Sequence, residues 1–219
     1  HPKRHHQVFM TVAREMGVGA ERYLEQMRDL AVRQGNRSDE AVAIGNLGVL
    51  AEDRGDYALA LGRYRRSLEL AEAVGRRTGA GHLNMADLCL EVGAYDEAEE
   101  RLHTALAINR EQGALKSEVL ALCSLSRLAR ARGDMDAAAA SARAALDIVR
   151  RLDDPATEAD VSLCLGWALA GQGALSDARD TLDHGHALAQ RLGRVNQAVA
   201  AQVALAHVLA RQGDLPDAV

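Results

Sequence analysis

Residues 47–64, LGVLAEDRGDYALALGRY, hold two helical apolar patterns separated by a single glycine. Glycine returns at this place along the chain, at intervals of 38, 40, 40 and 40 residues, in Gly55, Gly93, Gly133, Gly173 and Gly213. A second turn residue follows each of the first four about halfway through the interval, at Gly75, Gly113, Asp153 and Gly193. Glycine just past a helix end readily adopts the left-handed conformation that stops a helix. Each interval therefore predicts two helices and two turns, and the chain is predicted to be a repeat array.

Composition agrees with a helical array, because aromatic residues make up only 3% of the 219 residues and alanine is abundant. We therefore predict an all-α fold and a single array over residues 1–219. Local signals place helix starts at Ser38, Ser117 and the Asp154-Pro155 pair. The predicted helix pairs are 1–35 (degenerate), 38–75, 78–113, 117–152 and 155–193, with an incomplete last repeat at 196–219.

Small residues recur in register on both helices of each pair. On the first helix they are Gly48, Ala86, Ser126, Gly166 and Ala206, and on the second helix Ala60, Ala98, Ala138, Ala178 and Ala218. Small side chains let neighbouring helices approach closely. Enlarging one of them should overpack the array.

The pattern resembles the tetratricopeptide repeat (TPR) family over about residues 38–219. Leu47-Gly48, Gly55-Asp56-Tyr57, Ala60 and Tyr64 match the family's paired-helix unit. The longer repeat is similar to those of kinesin light chains and of the C-terminal arrays of bacterial STAND, LuxR-type and Streptomyces antibiotic regulatory protein regulators. This resemblance implies a right-handed α-solenoid of antiparallel helix pairs. It also implies a protein- or peptide-binding scaffold, the sensor or interaction region of a larger bacterial transcriptional regulator.

In the resembled family the first helix of each pair lines a concave groove. The positions that this implies are Asn46, Val49, Glu52, Asp53, Asn84, Asp87, Glu91, Ser124, Arg127, Arg130, Trp167, His207 and Arg211. The groove is then acidic in its earlier repeats and basic in its later ones, which would orient a charged partner. The alternative is that these residues are ordinary solvated helix faces.

Two asparagines, Asn46 and Asn84, occupy the same first-helix position in successive repeats. An amide side chain can donate to a carbonyl and accept from an N–H, so such a column can bind an extended peptide backbone. Ser124, Cys164 and Ala204 replace it in later repeats. The prediction of backbone capture is therefore confined to the first two complete repeats.

Trp167, the only tryptophan, is expected either to anchor a ligand in the groove or to lie in the core. His207 is expected to be a surface residue. A second functional hypothesis is a small-molecule sensor, with a metabolite near Trp167 and its anionic group on Arg127 and Arg130. A third is a structural oligomerisation module.

We identify no catalytic motif, because the chain lacks GxxxxGK[ST], HExxH, GxSxG and GxGxxG. We expect no enzyme activity, no cofactor and no metal. Asp180 and His184 are interpreted as a solvated pair, and His1, His5 and His6 as a flexible end. The cysteines Cys89, Cys123 and Cys164 form no CxxC pair and are expected to be small buried hydrophobes.

The net charge of -5 argues against direct nucleic-acid binding, and no apolar run approaches a membrane span. We expect a cytoplasmic protein whose partners are proteins or peptides, including other domains of its parent chain. The chain stops one turn into a second helix, at Leu215–Val219, and leaves apolar residues such as Val199 and Val203 without their partner. We expect either a piece of a longer protein or a homodimer formed through this apolar end.

Overall fold

The computed structural model describes residues 18–213, and over that range it contains ten α-helices and no strand. Predictions that fall on His1, His5, His6 and on Leu215–Val219 lie outside the described residues. In this range, no helix is long and apolar enough to cross a membrane. The helices are α1 Val18–Gln34, α2 Arg37–Asp53, α3 Tyr57–Glu72, α4 Gly79–Glu91, α5 Tyr95–Glu111, α6 Leu115–Ala131, α7 Met135–Arg151, α8 Pro155–Gln172, α9 Leu175–Arg191 and α10 Val195–Gln212.

The predicted turn residues end the helices in the way the sequence indicates. Gly55 has φ +76°, and the glycines at every other predicted turn also have positive φ. Asp153 adopts the same left-handed region with φ 49°, the one non-glycine residue among those described that does so. Aspartate tolerates this region better than most residues. The interpretation of Asp153 as a glycine-like stop is confirmed.

Helix starts follow the sequence signals in one place and depart from them in two. Asp154 caps α8 by accepting from the Thr157 N–H, and Pro155 takes the first helical position. Ser38 and Ser117 are wrong as start residues, because each lies inside its helix. Asn36 caps α2 through the Asp39 N–H, whereas α6 begins at Leu115 without a side-chain cap.

The described chain divides into two compact units, residues up to Ala94 with α1–α4 and residues from Tyr95 with α5–α10. Each unit has its own apolar interior. In the first, Leu24, Leu47 and Met85 are at most 1% exposed. In the second, Val119 and Leu182 are fully buried.

Small first-helix residues lie directly beneath large second-helix side chains. A Cβ atom added to Gly48 would lie 2.6 Å from Cε1 of Tyr64, and one added to Gly166 would overlap Cγ of Leu182. Tyr64 and Leu182 occupy the same position of their repeats. The expectation of close helix approach at these small residues is confirmed.

Candidate binding surface

An acidic group lies in the first unit, formed by Glu52, Asp53, Asp87 and Glu91. Glu52 lies half-buried in the last turn of α2, and its Oε2 accepts a 2.5 Å hydrogen bond from the Tyr64 hydroxyl of α3. Asp87 and Glu91 come from α4, one helical turn apart, on the next first helix. The residues expected at the acidic end of the groove are therefore brought close enough together to interact.

The charges in this acidic group repel one another. Burial raises the pKa of Glu52, and Asp87, Asp53 and Glu91 add to the rise, whereas the hydrogen bond from Tyr64 lowers it. Burial and the bond to Glu52 raise the pKa of Tyr64 far above its usual range, so the phenol remains a donor. A cationic side chain placed here would relieve the repulsion.

Asn46 and Asn84 line one pocket of about 140 Å³ between α2, α3 and α4. Both side chains are half-buried. Gly45 and Gly81 also line the pocket, and a Cβ at Gly81 would lie 2.8 Å from Cδ2 of Leu68, so the small residue is needed for the close approach. The two asparagines that were predicted to form a column therefore line the same pocket.

A cationic and aromatic group lies in the second unit, and we call it the Trp167 cluster: Arg130, Trp167 and His207. The Arg130 guanidinium carbon lies 5.3 Å from the centre of the Trp167 ring. The His207 ring centre lies 5.3 Å from that of Trp167, with the planes tilted by 47°. Trp167 is half-buried on α8 between residues of α6 and α10, so it is neither a core residue nor fully solvated.

Two arginines share the α6 side of this cluster. Burial lowers the pKa of Arg130, and the charge of Arg127 lowers it further, whereas the Cys164 thiol raises it. Like charges held together in a half-buried place favour an anionic ligand. His207 is exposed, as expected, but it also contacts the tryptophan ring.

The remaining predicted groove residues lie in different surroundings. Val49 is half-buried, whereas Ser124 is only 5% exposed, which limits its access to a ligand. Arg211 donates through Nη1 to the carbonyl of Ala170 at the end of α8, so its guanidinium is engaged by the backbone. The acidic group and the Trp167 cluster belong to different units, and a continuous groove joining them stays a prediction.

The cysteines correct one expectation and confirm another. Cys89 is 1% exposed, as expected of a small buried hydrophobe. Cys123 and Cys164 are only half-buried, and their thiols hydrogen-bond to each other. The signal in the sequence is their spacing of 41 residues, close to the repeat length, which places them at one level of successive first helices.

Asp180 and His184 are both exposed, as predicted for a solvated pair. Nε2 of His184 also lies 3.1 Å from Oε1 of Glu158, a carboxylate that accepts from Arg150 as well. No group of three or more His, Cys, Asp or Glu in the part of the chain that the structure describes could hold a metal ion. The sequence pattern identified Tyr64 only as a match to the repeat unit and did not predict its bond to Glu52, although a buried phenol usually has a partner.

Comparison with known proteins places the chain among helical repeats. Family models described as "Tetratricopeptide repeat" match residues 43–78 and 77–151. Tetratricopeptide repeat protein 29 of Trypanosoma brucei brucei is 28% identical over 149 residues, covering 67% of this chain and 31% of that protein. The chain thus spans about a third of the length of this curated relative.

Solved structures show the same fold at low sequence identity. The nearly identical TPR-like repeats of a Podosopora anserina protein, assigned as a kinesin light chain, align with a TM-score of 0.66 and 16% identity, covering 86% of this chain and 96% of that one. A Rap protein complexed with competence and sporulation factor aligns with a TM-score of 0.71 and 17% identity, covering 80% of this chain and 50% of that one. The fold is thus an all-α helical-repeat solenoid, and residues 43–151 of the chain match tetratricopeptide repeats.

Proposed function

We propose that the chain binds an extended peptide segment along the first helices of its repeats. The observation that carries this proposal is the shared pocket of Asn46 and Asn84. Two amides from successive first helices can each donate to a carbonyl and accept from an N–H of a strand-like peptide, without reading its side chains. Specificity would then come from the charged residues around them.

The charges suggest which peptides bind best. The acidic group in the first unit favours lysine or arginine, because a cation would relieve the repulsion at Glu52. The Trp167 cluster in the second unit favours a carboxylate, or an apolar side chain resting on the indole.

We also propose that this array is the sensor or interaction region of a larger bacterial regulator in the cytoplasm. Its support is indirect: the chain covers about a third of its curated relative and half of the Rap protein. That Rap protein was solved complexed with competence and sporulation factor. A peptide or a neighbouring domain held by this chain would then control an effector elsewhere in the parent protein.

The test begins with a random-peptide library selected on the purified chain. A selected peptide carrying a dye is then titrated by fluorescence anisotropy against the wild type and the Asn46→Ala/Asn84→Ala double variant. Loss of two amide contacts should weaken binding about tenfold or more, at about 1 kcal/mol for each hydrogen bond. Gln190→Ala, an exposed amide on the second helix α9, is the matched control. Equal affinities for the wild type and the double variant would contradict the proposal.

A second candidate is a small-molecule sensor, favoured by the position of Trp167 between Arg130 and His207. Such a sensor would take a flat or apolar anion. Arg127→Glu/Arg130→Glu should abolish its binding, whereas Asn46→Ala/Asn84→Ala should leave it intact. A peptide reader loses affinity in both double variants, so the pair of variants separates the two candidates.

A third candidate is a structural oligomerisation module, favoured by exposed valines on α10. Val195, Val199 and Val203 are 70%, 51% and 59% exposed and lie four residues apart. This spacing puts them on one face of the helix. Self-association by light scattering that survives Arg127→Glu/Arg130→Glu but is lost in Val199→Ser/Val203→Ser would favour this candidate.

A further inference from the structure

Two thiols face each other across neighbouring first helices of the second unit. Cys123 belongs to α6 and Cys164 to α8, and these two helices pack directly against each other. The thiols hydrogen-bond to each other, and both residues are partly exposed. The fold thus brings the two sulfurs together before any oxidation.

The pair is chemically asymmetric. The hydrogen bond from Cys123 lowers the pKa of Cys164, and the charges of Arg127 and Arg130 lower it further, against burial and Asp160, which raise it. The pKa of Cys123 is raised by the same hydrogen bond and by burial. A thiolate is the reactive form of cysteine. Cys164 is thus the nucleophile of the pair, and Cys123 can act as the resolving thiol.

We propose that Cys123 and Cys164 form a reversible oxidation site at which hydrogen peroxide links α6 to α8 through a disulfide bond. In the first step the Cys164 thiolate attacks one peroxide oxygen, the O–O bond breaks, and the departing hydroxide takes a proton to leave as water. Cys164 is then a sulfenic acid. In the second step the Cys123 sulfur attacks the Cys164 sulfur, and the sulfenic hydroxyl leaves with the Cys123 proton as a second water. The two sulfurs lose two electrons in total, and peroxide gains them.

The cysteine pair lies beside the Trp167 cluster, so its oxidation should change the environment, and therefore the fluorescence, of Trp167. Arg127 and Arg130 follow Cys123 by one and two helical turns on α6, and Trp167 follows Cys164 by one turn on α8. Converting the Cys164 thiol into a disulfide sulfur removes the electrostatic effect by which that thiol now favours the charged form of Arg130. A covalent bond would also fix α6 against α8. This inference does not depend on what the array binds.

The test exposes the reduced, purified chain to hydrogen peroxide and maps its sulfurs by mass spectrometry of unreduced proteolytic peptides. We expect a peptide pair joined through Cys123 and Cys164, a whole-chain mass lower by two hydrogen atoms, and restoration by dithiothreitol. Thiol labelling after denaturation should fall from three sites to one, Cys89, because this thiol is 1% exposed in the folded chain and escapes oxidation. Emission from the single tryptophan should change with the same time course as the disulfide.

Serine variants provide the controls. Cys123→Ser should stop at oxygenated Cys164 and Cys164→Ser should lose the fast reaction, whereas Cys89→Ser should form the bridge like the wild type. Circular dichroism checks that each variant is folded, and the peptide map of the wild type stands independently of them. A disulfide between two copies of the chain, oxygen addition without the bridge in the wild type, or no reaction at the pair would each overturn the proposal.

Discussion

The two units pack their helices alike but carry opposite charges on the predicted binding face. Gly48 beneath Tyr64 in the first unit corresponds to Gly166 beneath Leu182 in the second. At the end of the first helix, however, the first unit has Glu52 among acidic neighbours, whereas the second has Arg130 beside Arg127. The repeat pattern fixes which positions carry small and large packing residues, but it lets the exposed polar residues differ between units. Any difference in binding preference between the units must therefore come from those polar residues.

In both units a charge is held where burial and like-charged neighbours disfavour it. Burial raises the pKa of Glu52 and lowers that of Arg130, so each group is moved toward its neutral form. A ligand of opposite charge would reverse these shifts. Under the proposed function, the first unit would favour a cationic group of a ligand and the second unit an anionic group.

The largest effect is expected where the units are alike. Gly166→Leu and Gly48→Leu should each lower the free energy of unfolding by about 1–3 kcal/mol or more, because the new side chain would overlap Leu182 or Tyr64. Gly62→Leu is the control, since a Cβ there meets nothing within 4 Å and helix propensity favours leucine by up to about 1 kcal/mol. Urea unfolding measures all three. Equal stabilities for Gly166→Leu and Gly62→Leu would disprove close packing at this position.

The next largest effect is expected at the Trp167 cluster, which belongs to the second unit. Arg130→Met keeps a long apolar side chain but removes the cation over Trp167, at a cost of about 0.5–2 kcal/mol. We expect a shifted tryptophan emission and weaker quenching by iodide, because this anion is no longer attracted by a cation beside the indole. Arg143→Met, at an exposed position of α7, serves as the reference variant and should leave both signals unchanged. If the two variants have the same emission, Arg130 does not cover the indole.

A pH-dependent effect is expected in the first unit. Because the pKa of Glu52 is raised by folding, its contribution to stability is present below the ordinary glutamate pKa and is lost as pH rises through the folded value. Glu52→Gln should therefore unfold at higher urea than the wild type at neutral pH, and this advantage should vanish below the ordinary glutamate pKa of 4.5. Glu72→Gln, exposed at the end of α3, should show no such dependence. An advantage that grows toward acid pH would contradict the raised pKa.

The smallest effect concerns the phenol that distinguishes the first unit from the second. Tyr64→Phe removes the hydrogen bond that lowers the pKa of Glu52, so this pKa should rise further. Side-chain carboxyl chemical shifts followed against pH measure the change directly. Leu182 at the corresponding position cannot donate, and Leu182→Met provides a packing control that should leave Glu52 unaffected. A fall in the Glu52 pKa on loss of the phenol would show that the hydrogen bond from Tyr64 does not favour the ionised carboxylate.

The periodic features of the fold could be predicted from sequence because each has a local cause. Turn glycines, the left-handed Asp153 and the small residues at Gly48 and Gly166 all lie where the repeat places them. The Ser38 and Ser117 starts were wrong because a helix can begin a residue or two before the strongest capping residue, and Ala114 provides no side-chain cap at all. Helix ends therefore carried more information than helix starts.

The binding residues were predicted less completely than the fold. Repeat register placed Arg130, Trp167 and His207 on successive first helices, and the structure brings their side chains into contact. The repeat register could not predict that the Tyr64 hydroxyl bonds to Glu52 or that the Cys123 thiol contacts the Cys164 thiol. Both contacts depend on side-chain directions between helices. Register assigns a residue to a helix face, whereas a pair of contacting atoms requires the packed structure.

The most direct test of peptide binding along the first helices is the pattern of amide chemical shifts when the library-selected peptide is added. If the peptide binds along the first helices, the chemical-shift changes should fall mainly on α2, α4, α6, α8 and α10. The side-chain amides of Asn46 and Asn84 should show some of the largest changes. Changes confined to the second helices α3, α5, α7 and α9, with the two asparagines unaffected, would contradict it.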